Sequence, residues 1–157
     1  MLSNCGAMNL ERYEYSVNND YQQFEFESIG PKGTIKKIVS FRLINIDGVT
    51  YINLGFGDEN LISGGINDLS VSNNKDRDKI LATIAATVMD FTAIFSDMMV
   101  YAKGSTPART RLYQMGIAAN FSEISSLLNV YGFLNGQWHK FEKNINYEAF
   151  FVLRKSS

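Results

Sequence analysis

The chain has one histidine and one cysteine among its 157 residues. That count rules out a zinc site built from four Cys and His ligands, and it rules out an internal disulfide. Any Ser-His-Asp or Cys-His arrangement would have to use His139. That residue falls in an expected hairpin strand between Trp138 and Lys140, where it reads as a solvated or packed side chain. Cys5 sits in the N-terminal stretch, and a lone thiol fits a reducing compartment, so the expected localisation is cytoplasmic. Leu2-Ser3-Asn4-Cys5 lacks the charged and apolar segments that a lipoprotein signal places before its cysteine, and Met8 offers a second start. Only two prolines are present and no low-complexity tract, which argues against disorder. No apolar run reaches the ~18 residues of a membrane-spanning helix, so no membrane partner is expected. There is no G-x-x-x-x-G-K-[ST] loop. Gly55-Phe56-Gly57 lacks the third glycine and the following helix of a dinucleotide fingerprint. The carboxylates are scattered over strand faces beside cations, and no two pair as acid and base.

What is present is ordinary globular material. Hydrophobic residues make up 45% and charged residues 20%, enough for one core without a staple. A flexible tail over residues 1–12 followed by a single domain over 13–157 is the simplest division. Net charge is −1, so no global basic signature points to nucleic acid. The charge is uneven, however. Residues 1–98 hold 8 Lys/Arg against 13 Asp/Glu, and residues 99–157 hold 7 against 3. Either the halves neutralise each other in the fold, or the C-terminal half meets an anionic partner.

Alternation of Phe24 and Phe26 with Glu25 and Glu27 predicts a strand over Tyr21–Ser28. Gly30–Gly33 is a turn. A second strand follows over Thr34–Ile44, with Ile35, Lys37, Val39, Phe41 and Leu43 on one face. Asp47-Gly48 signals a tight hairpin into a third strand, Val49–Phe56. Residues 57–72 read as a long loop, with room for a short strand at 66–71. Asn73 or Asn74 would cap a long helix over Asn74–Asp97. Its apolar positions, Leu81, Ile84, Val88, Phe91 and Phe95, leave a weakly polar opposite side. That predicts cover on more than one side, by other elements or by a partner in a homodimer. Met98–Ala102 is a short strand. Thr106-Pro107 starts a second helix running to about Ala119, with Ala108, Leu112, Met115 and Ala119 as its buried stripe. Ser122–Leu128 adds one or two helical turns. Val130–Leu134 and Gln137–Glu142 form a hairpin about Asn135-Gly136, and Tyr147–Arg154 is the last strand, with Phe150, Val152 and Arg154 on one face. The expected fold is α+β: a mostly antiparallel twisted sheet, in the order β-β-β-α-β-α-β-β-β, packed against the long helix.

One segment suggests a site. Lys103, Gly104, Ser105, Thr106, Arg109, Arg111 and Tyr113 cluster about the second helix's start. Free backbone N–H groups, two hydroxyls and three cations there would suit a phosphate or carboxylate. The competing reading is a helix cap with solvated arginines. Arg109 and Arg111 point different ways on an ideal helix, which disfavours a single clamp. Aromatic residues make up 13% of the chain, and Phe24, Phe26, Phe41, Tyr51, Phe56, Tyr131, Phe133, Trp138, Phe141, Tyr147, Phe150 and Phe151 lie in or beside expected strands. With Lys36, Arg42 and Lys140 nearby they would suit single-stranded nucleic acid if they were exposed. A core with cross-strand pairs is the preferred reading.

Two resemblances rest on these residues. Phe24-x-Phe-x-Ser28-x-Gly-Pro-Lys-Gly33, Asn53-Leu-Gly-Phe-Gly-Asp58, Asn73-Asn-x-Asp76 and Gly104-Ser-Thr-Pro-Ala-Arg-Thr-Arg-Leu-Tyr113 resemble a family of uncharacterised bacterial proteins, a domain of unknown function common in Bacteroidetes. It covers nearly the whole chain and implies no activity. The element order also resembles the GNAT acetyltransferase core from its second strand onward. Arg111-Leu-Tyr-Gln-Met-Gly-Ile117 is similar to that superfamily's x-Leu-Tyr-x-x-x-Gly-Phe motif. The resemblance implies acetyl-CoA as cofactor and Tyr113 as the acid toward the departing thiolate. The glycine-bearing pyrophosphate motif expected before the long helix is absent. Ser72–Asp78 has no glycine and carries Asp76 and Asp78, which repel phosphate.

The residues favour a non-catalytic binding or interaction module that meets an anionic ligand or protein partner through 103–113 and needs no cofactor. An acyl-CoA-dependent N-acyltransferase and a single-stranded nucleic-acid binder are the alternatives.

Overall fold

The computed structural model describes residues 11–59, 66–67 and 74–156. In chain order the elements are β1 (Ser16–Val17), β2 (Gln23–Gly30), β3 (Gly33–Ile46), β4 (Val49–Glu59), β5 (Ile66–Asn67), α1 (Arg77–Ile94), β6 (Val100–Ala102), α2 (Pro107–Ala119), α3 (Phe121–Leu127), β7 (Leu128–Leu134), β8 (Gln137–Lys140) and β9 (Ala149–Arg154). The strands form one open sheet in the order β1-β2-β3-β4-β6-β9-β7-β8, with β5 paired to the end of β4. All neighbours are antiparallel except β4 and β6. The fold is therefore α+β with a mostly antiparallel mixed sheet, as the element order predicts. Asp47-Gly48 and Asn135-Gly136 both take positive φ and close the expected two-residue hairpins.

The long helix starts at Arg77, three residues later than expected. Asn74 does not cap it. Its side chain accepts from Lys32 N at 2.7 Å and donates to Gly33 O at 2.9 Å and Ser28 Oγ at 3.0 Å. Asn74 thus ties the approach to α1 onto the β2–β3 turn and Ser28. Asp76 holds the N-cap position without a capping bond. Its Oδ2 accepts from Ser28 Oγ at 2.5 Å and Tyr13 OH at 2.6 Å. Asn73 lies outside the described residues.

Helix α1 is buried almost all round, from Ile80 to Met89 without a break. Its apolar stripe meets the sheet, where Phe91 stacks on Phe41 at 4.3 Å. The extended segment ahead of β1 crosses it. Tyr13 N donates to Thr83 Oγ1 at 2.8 Å, Tyr15 OH donates to Asp90, and Arg12 reaches Glu123 on α3 at 3.4 Å. Threonines on a buried helix are tolerable because each hydroxyl has a backbone acceptor: Thr83 to Lys79 O, Thr87 to Ile84 O, Thr92 to Val88 O. Arg12, assigned to the tail by sequence, is bonded; residues 1–10, including Cys5 and Met8, lie outside the described residues.

Two further expectations are corrected. The 57–72 loop begins later than expected, since β4 runs through Gly57, Asp58 and Glu59, and Ile66–Asn67 pairs with its end. Residues 60–65 and 68–73 lie outside the described residues. In α2 the buried residues are Thr110, Gln114 and Gly116, not the Ala108–Leu112–Met115–Ala119 stripe. Hydrogen bonds override hydrophobicity here. Gln114 donates to Ile145 O and accepts from Tyr147 N at 3.1 Å, tying α2 to the approach to β9. Gly116 lets α2 close on Leu81 of α1.

Candidate functional site

The start of α2 is largely closed by its own chain. Thr106 Oγ1 accepts from Arg109 N at 3.2 Å, and Pro107 offers no N–H. Gly104 N donates to Thr110 Oγ1 at 3.0 Å. Gly104 lies so close to the first turn that a Cβ there would overlap Arg109 Cβ. Lys103, Ser105, Thr106 and Arg111 are exposed, Gly104 and Arg109 half-buried. Most backbone donors that an anion would need are therefore already used or missing. Tyr113 points elsewhere. It lines an apolar cavity of about 60 Å³ among Leu54, Leu81, Val88, Val100, Gly116 and Ile124, between the sheet and all three helices. Apart from Tyr113, every side chain that lines it is apolar.

The parallel pairing of β4 with β6 is short: Ile52 opposite Val100 and Asn53 opposite Tyr101. Beyond it β4 continues to Glu59, while the chain after Ala102 turns toward α2.

The opposite face of the sheet carries an arrangement that sequence reading only partly resolves. The aromatics in and beside the strands divide in two. Phe24, Phe26, Phe41, Phe141, Tyr147 and Phe150 belong to the core. Tyr51, Tyr101, Tyr131, Phe133, Trp138 and Phe151 do not belong to it. Alternation puts these six on the other face, where no helix lies among the described residues. Phe151 and Trp138 join them: Tyr131 stacks on Phe151 at 4.6 Å, Trp138 meets it edge-on at 4.7 Å, and Tyr51 lies 5.9 Å from it. Trp138 also contacts Phe133 at 5.0 Å and Tyr101 at 6.3 Å. Tyr51 is buried among its neighbours, while the other five are half-buried. Burial, with the Tyr51 phenol beside it, raises the Tyr101 hydroxyl above its ordinary pKa.

The strand registers line up one continuous row across this face: Arg42, Asn53, Tyr101, Phe151, Tyr131, Lys140. A cation stands at each end, both exposed, and neither pairs with a carboxylate among the described residues. The flanking rows hold Ile44, Tyr51, Leu153 and Asn129 on one side and Ser40, Gly55, Ala149, Phe133 and Trp138 on the other. None of the three rows contains a carboxylate. The acids of this face lie further along β2 and β4, where Lys36 of β3 bridges Glu25 at 3.1 Å and Glu59 at 3.5 Å. Gln23 and Lys36 hold the Glu25 carboxyl below its ordinary pKa. Lys36 is thus part of the acidic cluster, not a basic neighbour of the rings. Tyr101 was missed by sequence reading because a three-residue strand shows too little alternation to assign a face. His139 is exposed, with a ring nitrogen 3.3 Å from Leu134 O.

Among the described residues no group of three or more His, Cys, Asp or Glu side chains is placed to hold a metal ion, and no helix is long and apolar enough to cross a membrane. No curated protein and no solved structure matches the chain. The motifs spread from Phe24 to Tyr113 agree with a match that spans residues 9–155: the chain belongs to the family of unknown function DUF6934.

Proposed function

We propose that the protein is a binding module whose ligand surface is the sheet face opposite α1, α2 and α3, and that the ligand combines flat rings with negative charge. One observation carries this reading: the row from Arg42 to Lys140, three aromatic rings between two cations that pair with no carboxylate among the described residues, with no carboxylate in that row or in the rows flanking it. Rings locked against one another lose little entropy when a further ring stacks on them. The cations at the ends attract charge from outside the apolar stretch. The α2 start supports the reading less, since its capping uses the donors an anion would need.

Trp138 is the sole tryptophan and stands within the ring cluster, so its emission reports the face directly. Adenosine monophosphate should quench it saturably and raise the melting temperature. A Tyr101→Ala variant that still melts cooperatively should lose the saturable part. Quenching that stays linear, and equal in both proteins, would overturn the reading.

A second reading has its own observation. The parallel β4–β6 pair parts after Asn53 and Tyr101, and Tyr113 lines the cavity below. With the resemblance to the GNAT acetyltransferases, this supports an acyl-CoA-dependent transferase with Tyr113 as acid. Asp76 and Asp78 at the start of α1 oppose a pyrophosphate there. Titration of acetyl-CoA decides it: heat of binding that a Tyr113→Phe variant retains, with acyl transfer lost, supports this reading; no heat removes it.

A further inference from the structure

We infer that the ligand of the aromatic face is a single strand of nucleic acid laid across the sheet, with bases on Tyr101, Trp138 and Tyr131 and phosphates at Arg42 and Lys140. The inference rests on the reading of this face as a ring-binding surface and extends it to a polymer. The Arg42–Lys140 row crosses six strands. At ~4.8 Å per strand spacing that is ~24 Å between its end cations, far longer than one nucleotide. A mononucleotide has no use for two cations so far apart; a chain with a charge at each residue does.

The alternation of chemistry fits the same polymer. Aromatic faces accept any base, and a sheet presenting two or three of them is an established way to hold an unpaired strand. A duplex hides its base faces and cannot use them. The ring contacts keep the platform in place: Phe151 lies between Tyr131 and Trp138 and supports both, and Trp138 in turn meets Tyr101, so the half-buried Tyr101, Tyr131 and Trp138 hold one another. The charge map agrees. Positive charge without acid occupies the rows that hold the rings. Glu25, Glu27 and Glu59 lie at the far part of β2–β4, where they would turn a strand away. The chain's net charge of −1 means that attraction is local to this face, so binding should be modest at physiological salt.

The test uses the whole protein and fluorescently labelled oligothymidylates of about 3, 6 and 12 nucleotides, with a duplex of the longest length as control. Anisotropy is read over a series of salt concentrations. Single strands should bind more tightly as they lengthen and more tightly than the duplex. Affinity should fall linearly with salt on logarithmic axes. The exposed pair Arg42→Gln and Lys140→Gln, which leaves the core untouched, should reduce that slope by about 1.4, near 0.7 for each phosphate no longer neutralised. Tyr131→Ala should weaken binding by between about 5- and 150-fold.

No anisotropy change at low salt overturns the inference. If adenosine monophosphate then still quenches Trp138, the ring-binding reading survives without the polymer; if it does not, both fall. Equal binding of duplex and single strand, with an unchanged slope in the double variant, also overturns it. So does concentration-dependent dimerisation that Tyr131→Ala abolishes, since the face would then be covered by a second copy.

Discussion

The ring of Tyr147 lies over Gly132 so closely that a Cβ at residue 132 would overlap it. Tyr147 stands just ahead of β9, and its hydroxyl accepts from Glu142 N at 3.0 Å and donates to Lys140 O at 3.2 Å. The packing therefore holds the β8–β9 connection against β7 and sets where Lys140 stands. A rigid ring cannot yield as a flexible side chain could. Gly132→Ala should cost about 1–3 kcal/mol of stability, seen in chemical denaturation, while Gly136→Ala acts only through its positive φ.

Gln114 is the polar pin between α2 and the approach to β9, bonding Ile145 O and Tyr147 N. Gln114→Leu keeps the bulk but leaves a buried donor and a buried acceptor without partners. A loss of about 1–3 kcal/mol per orphaned group is expected. Arg111→Ala, on the exposed side of the same helix, should change stability by no more than ~0.5 kcal/mol. Parallel urea melts separate the two; equal losses would show that Arg111 is structural.

Tyr13 ties the N-terminal segment to both α1 and β2. Its hydroxyl donates to Asp76 and accepts from Ile29 N at 3.0 Å, and Lys79 Nζ lies 4.3 Å from its ring centre. Tyr13→Phe should cost about 1–2 kcal/mol, because Ser28 remains to satisfy Asp76 Oδ2. Tyr13→Ala should cost more, by exposing α1, and should speed hydrogen exchange around Thr83 in particular.

Of the eight tyrosines, Tyr13, Tyr15 and Tyr101 have raised pKa values, each chiefly through burial, with Asp76, Asp90 and Tyr51 as the next neighbours that oppose ionisation. The folded state holds these protons more tightly than the unfolded chain does. Their contribution is complete below the ordinary phenol value of about 10 and is lost as pH rises beyond it. Phenolate absorbance should show a late-titrating group of tyrosines, and the melting temperature should fall above about pH 10. All eight titrating together at the ordinary value would contradict the arrangement.

Much of the fold is legible in local patterns. Phe24 and Phe26 alternate with Glu25 and Glu27, and the structure keeps them on opposite faces of β2. Asp47-Gly48 and Asn135-Gly136 close the two expected hairpins, because their preference for positive φ is local. The candidate site was legible only as residue types. Arg42, Lys140, Tyr51, Tyr131, Phe133, Trp138 and Phe151 all stood out, mixed with core aromatics and with Lys36. Tyr113 stood out too, though for a different site.

The sequence by itself determined the element order, the hairpins, the near-apolar helix and the α+β class, since each follows from spacing within a few residues. Only tertiary structure decided which side chains meet. Placing β6 parallel to β4, with β9 beyond it and β7 next, brings residues from 42 to 140 into one row. No local propensity encodes that order; it comes from burying α1 under a sheet whose strands must all satisfy their backbone groups. The same demand placed Gln114, Thr110 and Asn74 inside, where partners distant in sequence complete their hydrogen bonds.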